Sequence, residues 1–202
     1  MAKIGVSYPL FAKYTNTAGT VTYSDAQLLG HAIEVDISVE TSEDNNLYGD
    51  NMIVESDAGT FNSGTCTFNT SELTPEMSAW LLGAKEVSRT VGGSTVSEVV
   101  FDDDLAPAYV GFGFIRKHRI NNATKWEPVV LCKLQSRIPD EDVVTQEDEI
   151  EWQTHEVEFS IFRSDEVASD SYNHPWKLMP KAMYDTEAAA QAYLNAVLNY
   201  TP

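Results

Sequence analysis

The clearest pattern along the chain is an alternation of apolar and acidic residues at positions 31–40. Every second position is aliphatic: Ile33, Val35, Ile37 and Val39. The positions between them are polar: Glu34, Asp36, Ser38 and Glu40. A period of two is typical of a β-strand with one buried face. The segment therefore predicts a strand with its aliphatic side chains inside the protein and its acidic side chains towards water.

Similar patterns predict strands over most of the remaining chain. Shorter strands are expected at 4–12 and 21–23, on either side of a turn at 16–19. Further strands are expected at 60–69, 85–91, 95–102, 108–119, 126–134 and 149–163, with turns at Gly92-Gly93 and Asn121-Asn122. The apolar parity changes within 149–163, which predicts a β-bulge or break near 153–156. The polar segment 41–51 predicts a long loop or an extended hairpin.

Two segments change to a helical period. Thr74 is a candidate N-cap, Pro75 suits the first helical position and Gly83 suits the C-terminal cap, so a short helix is expected at about 74–82. A C-terminal helix is expected at about 185–198, with one apolar face formed by Ala190, Tyr193, Leu194, Val197 and Leu198. The chain is predicted to be mainly β, a sandwich or barrel with the short helix packed on its sheet. Residues 1–163 would form the β domain, and 164–202 an extension packed on the same domain or on a neighbouring subunit.

Composition and charge narrow the possible functions. The 202 residues are 43% hydrophobic, which suits one large folded β domain. Acidic residues outnumber basic ones 31 to 13. The formal charge of −18 argues against a protein that binds the phosphates of nucleic acid through a basic surface. Cys66 and Cys132 are expected to be reduced and buried. No apolar run has the length of a signal or of a membrane span, so the protein is expected in a cytoplasm unless it is exported.

Candidate chemical sites have ordinary alternative explanations. Asp44, Asn46, Gly49 and Glu55 have much of the spacing of a calcium loop, but Tyr48 breaks it and the flanking segments predict strands. Residues 102–104, three aspartates, predict a solvated turn. The histidines lack zinc-ligand spacing and are expected at surface or half-buried positions: His31, His118, His155 and His174. No nucleophile or phosphate-loop motif is present and no carboxylate pair stands out, so no enzyme, cofactor or metal is expected.

The succession of several short motifs is more specific than any one of them. They are Met-Ala-Lys-Ile-Gly at 1–5, Asn-Leu-Tyr-Gly-Asp-Asn at 46–51, Trp-Leu-Leu-Gly at 80–83, Ala-Pro-Ala-Tyr-Val-Gly-Phe-Gly-Phe at 106–114, Leu-Cys-Lys-Leu at 131–134 and Glu-Asp-Glu-Ile-Glu-Trp-Gln-Thr at 147–154. In this order the chain resembles the major tail proteins of long-tailed, non-contractile bacteriophages, especially those of Gram-positive hosts.

This resemblance implies a subunit that closes into hexameric rings, which stack into a hollow tail tube within the virion. Strands of all six subunits would line the lumen, and DNA would pass through without specific binding. The polar loop would reach the adjacent ring through Asp44, Asn45, Asn46, Tyr48, Asp50 and Asn51. The implied partners are other copies of the chain, a tape measure protein and tail-tip or terminator proteins, with no membrane. Together with the alternating strand at 31–40, the resemblance gives the hypothesis that Glu34, Asp36 and Glu40 face the lumen.

Two other classes of function remain open from the residues alone. An acidic β-sandwich that binds carbohydrate or another surface would need an aromatic platform, for which the candidates are Tyr14, Tyr23, Trp126 and Trp176. These four residues suit packing equally well. A hydrolase built on a carboxylate pair is the third class, and no particular pair supports it.

Overall fold

The computed structural model describes residues 2–140, 145, 153–168 and 171–202, and these residues are mainly β. The strands are β1 (Ala2–Thr17), β2 (Thr20–Leu28), β3 (Ala32–Thr41), β4 (Asn45–Gly49), β5 (Met52–Asp57), β6 (Phe61–Thr70), β7 (Lys85–Val91), β8 (Ser94–Val100), β9 (Tyr109–Ile120), β10 (Ala123–Ser136), β11 (His155–Phe162), β12 (Val167–Ala168), β13 (Tyr172–Asn173) and β14 (Lys177–Leu178). The helices are α1 (Pro75–Leu82) and α2 (Glu187–Val197). The prediction of a mainly β fold with a short helix and a C-terminal helix is confirmed.

One large antiparallel sheet organises the molecule. Its strands follow the order β2-β1-β9-β10-β11-β6-β3, and β14 also pairs with β10. Strand β3, at one end of this order, comes close to β1 without pairing with it, so the sheet curls around its interior. Three two-stranded sheets, β4-β5, β7-β8 and β12-β13, stand apart from it. The outcome is a partly closed β-sandwich with open strand edges.

The interior of the curled sheet is filled by phenylalanines. Phe11 of β1 stacks on Phe112 of β9 with ring centroids 4.1 Å apart. The remaining buried rings come from β6, β9 and β11: Phe68, Phe114 and Phe159. The predicted pairing of 108–119 with 126–134 is confirmed, since Phe112 lies opposite Leu131 in the β9–β10 register. Both central residues of the turn between these strands, Asn121 and Asn122, have the positive φ that such hairpin turns need.

A second apolar cluster lies on the outer face of β1, β9 and β10, beneath α2. Ala190, Leu194 and Leu198 are fully buried there, and Tyr193 and Val197 pack around them, as the helical period predicted. Thr186 caps α2 by accepting a hydrogen bond from the backbone N–H of Ala189. The helix therefore docks on the sheet of its own chain.

Helix α1 begins and ends at the residues that its sequence predicts. The Thr74 hydroxyl accepts a hydrogen bond of 3.2 Å from the backbone N–H of Met77, and Pro75 takes the first helical position. Gly83 ends the helix with a φ of 71°, which favours glycine. The indole N–H of Trp80 donates to Asp25 at 2.7 Å, which ties α1 to β2.

The structure describes all of segment 41–51 but only part of segment 149–163. Residues 41–51, predicted as a long loop or an extended hairpin, contribute β4 to a hairpin with β5, and its turn is Asp50-Asn51 with φ values of 50° and 64°. Strand β11 begins at His155, after the non-strand residues Gln153 and Thr154. Residues 149–152, including Ile150 and Trp152, lie outside the described residues, so the break near 153–156 stays a prediction. No helix in the described part of the chain is long and apolar enough to cross a membrane.

Candidate assembly surface

The three predicted acidic residues share the outer face of the last strands of the sheet. Directly opposite residues in antiparallel strands point to the same face. In the β3–β6 register, the opposed pairs are Glu34 with Asn69, Asp36 with Thr67 and Glu40 with Ser63. Cys66 and Phe68, at the intervening positions of β6, are buried in the interior. The acidic side chains of β3 therefore project outwards, and all three are exposed.

Strand β11 adds two carboxylates that the prediction of the site did not include. Glu156 lies opposite Asn69, and Glu158 lies opposite Thr67. The sequence signal for both is the alternation of residues 155–161, where Val157, Phe159 and Ile161 are buried. We call this outer surface of β3, β6 and β11 the acidic face: Glu34, Asp36, Ser38, Glu40, Ser63, Thr65, Thr67, Asn69, Glu156, Glu158 and Ser160. Arg137 offsets part of its charge through a 2.5 Å contact with Glu158.

The carboxylates of the acidic face lie on two strands, β3 and β11, that do not pair with each other. Neighbouring strands lie about 4.8 Å apart, so the acids of β3 and β11 are separated by about 10 Å across β6. Repulsion over this distance is largely screened at physiological salt, where the Debye length is roughly 8 Å, but carboxylates two residues apart on one strand are only about 6.6 Å from each other. Elsewhere α2 covers the outer face of the sheet, but no described helix or strand packs on the acidic face. The surface is thus continuous, polar and open.

Strand β3 also presents apolar side chains at an open edge. Val35 and Ile37 pack against the interior as predicted. The prediction was wrong for Ile33 and Val39, whose side chains remain 48% and 39% exposed. Ile33 is the unpaired residue of a β-bulge between Ala32 and Glu34. Val39 lies opposite Gly64, which has no side chain to cover it. The other edge of β3 faces β1 without pairing with it. An unpaired edge with exposed aliphatic residues is a surface at which another strand can be added.

The hairpin of β4 and β5, which we call the hairpin arm (45–57), prolongs the β3–β6 pair. Its base is held by the backbone N–H of Gly59, which donates to Asp44 at 2.8 Å, and by Ser42, which donates to the carbonyl of Thr60 at 2.8 Å. The arm carries five large apolar residues that are each more than half exposed: Leu47, Tyr48, Met52, Ile53 and Val54. An isolated two-stranded hairpin is only marginally stable in water. The large apolar residues of the arm therefore receive little cover from the described part of their own chain.

The six residues predicted for contact with the next ring occupy three positions along this arm. Asp44 lies at the base, where it accepts the hydrogen bond from Gly59. Asn45, Asn46 and Tyr48 lie in β4, and Asp50 and Asn51 form the turn at the tip. The sequence did not indicate the exposed apolar residues of β5 as part of this surface.

The calcium-loop spacing does not produce a cation site in this hairpin. Asp44 is engaged by a backbone N–H, and Gly49 and Glu55 belong to paired strands. Within the described ranges, no group of three or more His, Cys, Asp or Glu residues is arranged to hold a metal ion. The aspartates at 102–104 form a turn in which Asp102 accepts from Lys85 at 2.5 Å and from the backbone of Asp104 at 3.1 Å.

The four aromatic residues considered for a sugar platform are packed into the protein. Tyr14 is buried, and the Tyr23 hydroxyl donates to the carbonyl of Cys132 at 2.8 Å. Trp176 stacks on Phe61 with ring centroids 4.9 Å apart, and Trp126 packs in the separate cluster under α2. These rings do not form a common exposed surface.

The titratable side chains of Cys66, Cys132 and His118 are buried inside the protein. Burial raises the pKa of Cys66 to about 12, with Asp36 adding to the effect, and burial also raises the pKa of Cys132 to about 12. Both cysteines are free thiols, as expected. The prediction that each histidine is at the surface or half-buried was wrong for His118, which is 1% exposed. Its Nε2 lies 3.0 Å from the carboxylate of Glu127, whereas its Nδ1 is buried without a hydrogen-bond partner among the described residues.

Comparison with known proteins adds no relative to this picture. None of the models of known protein families matches the chain, and a search of curated proteins finds no match.

Proposed function

We propose that this protein is a structural subunit that forms hexameric rings, which stack into the tail tube of a long-tailed, non-contractile bacteriophage. The observation that carries the proposal is the acidic face. It is a continuous anionic sheet surface, left uncovered beside an open strand edge. In the ring, this face lines the channel, with Glu34, Asp36 and Glu40 towards the lumen.

Ring closure accounts for the open edges of the sheet. The sheet ends in β2 on one side and β3 on the other. Unpaired strand edges are a hazard for aggregation, and a closed ring of identical subunits removes them by pairing or covering each edge. The exposed side chains of Ile33 and Val39 then become buried between neighbouring copies. Assembly thus completes the part of the core that one chain leaves open.

The charge of the subunit suits a channel for DNA. Duplex DNA carries one negative charge per roughly 1.7 Å of its axis, and an anionic wall repels it at every point. Six copies with a formal charge of −18 each bring −108 to a ring. DNA therefore slides through without specific binding. In the virion, the ends of such a tube would meet tail-tip and terminator proteins, and its lumen would hold a tape measure protein before ejection.

The direct test is negative-stain electron microscopy of concentrated purified protein. Rings or hollow tubes of uniform diameter are expected. Polyethylene glycol is included in a parallel sample, because excluded volume favours association and helps a slow nucleation step. A protein that stays monomeric under both conditions contradicts the proposal.

A double substitution at the open edge tests how the ring closes. Ile33→Lys with Val39→Lys places two charges on β3, and we expect rings and tubes to disappear because the edge can no longer be buried. The melting temperature should change little, since both side chains are already exposed. Assembly is measured by sedimentation and microscopy, and folding by circular dichroism.

The matched control is Val91→Lys with Val167→Lys. Val91 and Val167 are 54% and 51% exposed and lie in β7 and β12, outside the large sheet. This control should assemble like the unmodified protein. Normal tubes from the double variant would show that β3 is not the ring edge.

A further inference from the structure

Two basic residues form a second distinctive surface at one corner of the sheet. Lys117 lies opposite Gly5 in the β1–β9 register and Arg119 lies opposite Ala2, so both side chains are on the same face of the sheet. Both are exposed. We call Lys117 and Arg119 the basic corner. In a chain with 31 acidic residues, neither of these cations forms an ion pair with a described residue.

The hairpin arm has the complementary chemistry. Asp50 at its tip and Glu55 and Asp57 on β5 are exposed, and no ion pair with a described residue engages any of them. Its exposed apolar residues lie in the same hairpin as these carboxylates. Opposite charges on two surfaces favour their encounter and fix their orientation. The arm and the basic corner are thus complementary in charge.

The two surfaces lie at opposite ends of β3. A cleft of about 460 Å³ is lined by Lys3 and Gly5 on one side and by the first half of β3, from Ile33 to Ile37, on the other. The arm begins beyond Thr41, at the far end of the strand. At about 3.3 Å per residue, four residues of β3 and five of the arm place its tip roughly 30 Å from this cleft. The arm therefore does not reach the corner of its own chain.

We propose that the hairpin arm of one copy docks on the basic corner of the next copy along the tube, and that this contact stacks the rings. The inference rests on the proposed function and names the surface that receives the arm. Complementary patches at opposite ends of a subunit make a head-to-tail contact, which repeats without closing and so builds a filament. Six arms act together between two rings, so a small change in each contact has a large combined effect.

Charge reversal tests the pairing directly. One variant reverses the corner with Lys117→Glu and Arg119→Glu, and a second reverses the arm with Asp50→Lys and Glu55→Lys. Each is expected to form rings but to need a roughly tenfold or higher protein concentration to form tubes, because like charges now face each other. A third chain that carries all four substitutions is expected to regain tubes. Ring and tube fractions are measured by sedimentation velocity and negative-stain microscopy.

The control reverses two basic residues elsewhere. Lys85→Glu with Arg89→Glu changes the net charge by the same amount on β7. The ion pairs that it removes, with Asp102 and Glu98, lie at the surface, where such pairs contribute little to stability. This variant should form tubes like the unmodified chain. The inference is overturned if this control loses stacking equally, if the corner variant stacks normally, or if the four-substitution chain is no better than its parents. Those results leave the proposed function intact, because the unmodified chain still forms tubes. An unmodified chain that forms neither rings nor tubes overturns both.

Discussion

At the scale of single residues, two glycines of β9 decide how closely α2 approaches the sheet. A Cβ at Gly111 would lie 2.4 Å from the Tyr23 ring, and a Cβ at Gly113 would lie 2.8 Å from Leu198 and 3.0 Å from Leu194. Both leucines are fully buried and have little room to move. The glycines allow close packing, as their place within an apolar strand predicts.

Gly113→Ala should lower the free energy of unfolding by about 1–3 kcal/mol, because the added methyl group overpacks the contact between β9 and α2. Urea titration followed by circular dichroism measures the change. Gly5→Ala is the control, since a Cβ there would lie 4.0 Å from the Cβ of Lys117, an ordinary contact. Equal stability of the two variants would show that α2 does not depend on this close approach.

At the scale of elements, the hairpin arm is structurally separate from the body of the sheet. The arm pairs within itself, and apart from its base it makes no extensive contact with another described element. The body contains both apolar clusters. Folding should therefore depend on the sheet, and association on the arm.

Replacing residues 45–57 by Asn-Gly should leave the melting temperature within a few degrees of its original value, because a two-stranded hairpin adds little stability. Tubes should be lost while rings remain, as seen by electron microscopy. The control shortens the other exposed hairpin by replacing residues 90–95, between the paired Arg89 and Val96, with Asn-Gly. Tubes formed by the arm-less chain would contradict an axial role for the arm.

At the scale of the whole molecule, the distribution of charge matters more than its total. A net charge of −18 alone is explained by solubility. The sheet, however, gathers Glu34, Asp36 and Glu40 with two acids of β11 on one uncovered face. Only in an assembled tube does this arrangement produce an anionic wall.

Substitution of Glu34, Asp36 and Glu40 by lysine should convert the proposed lumen wall into a DNA-binding surface. Short duplex DNA is then expected to sediment with the variant tubes at low salt and to resist nuclease, because it lies inside. A control with lysine at Glu72, Asp103 and Asp104, all exposed elsewhere, should bind DNA that nuclease removes. Nuclease-sensitive DNA on the first variant would place Glu34, Asp36 and Glu40 outside the lumen.

Local patterns in the sequence determined most of the elements. The period of two defined β3, β6, β9 and β10, and Thr74, Pro75 and Gly83 defined the ends of α1. The apolar face of α2 was equally clear. These features are predictable because backbone geometry, capping and side-chain periodicity depend on residues that are close in the chain.

Only the tertiary structure decided which strands are neighbours. Glu158 joins Asp36 on the acidic face because β6 pairs with both β3 and β11, whose residues are far apart in the chain. The β3–β6 register places a β-bulge at Ile33 and Gly64 opposite Val39, which leaves both aliphatic side chains exposed. The β9–β10 register brings Glu127 to the buried His118. The sequence of a single strand shows which side chains share each face of the strand. It does not show which strands are its neighbours, because pairing is set by contacts between distant segments.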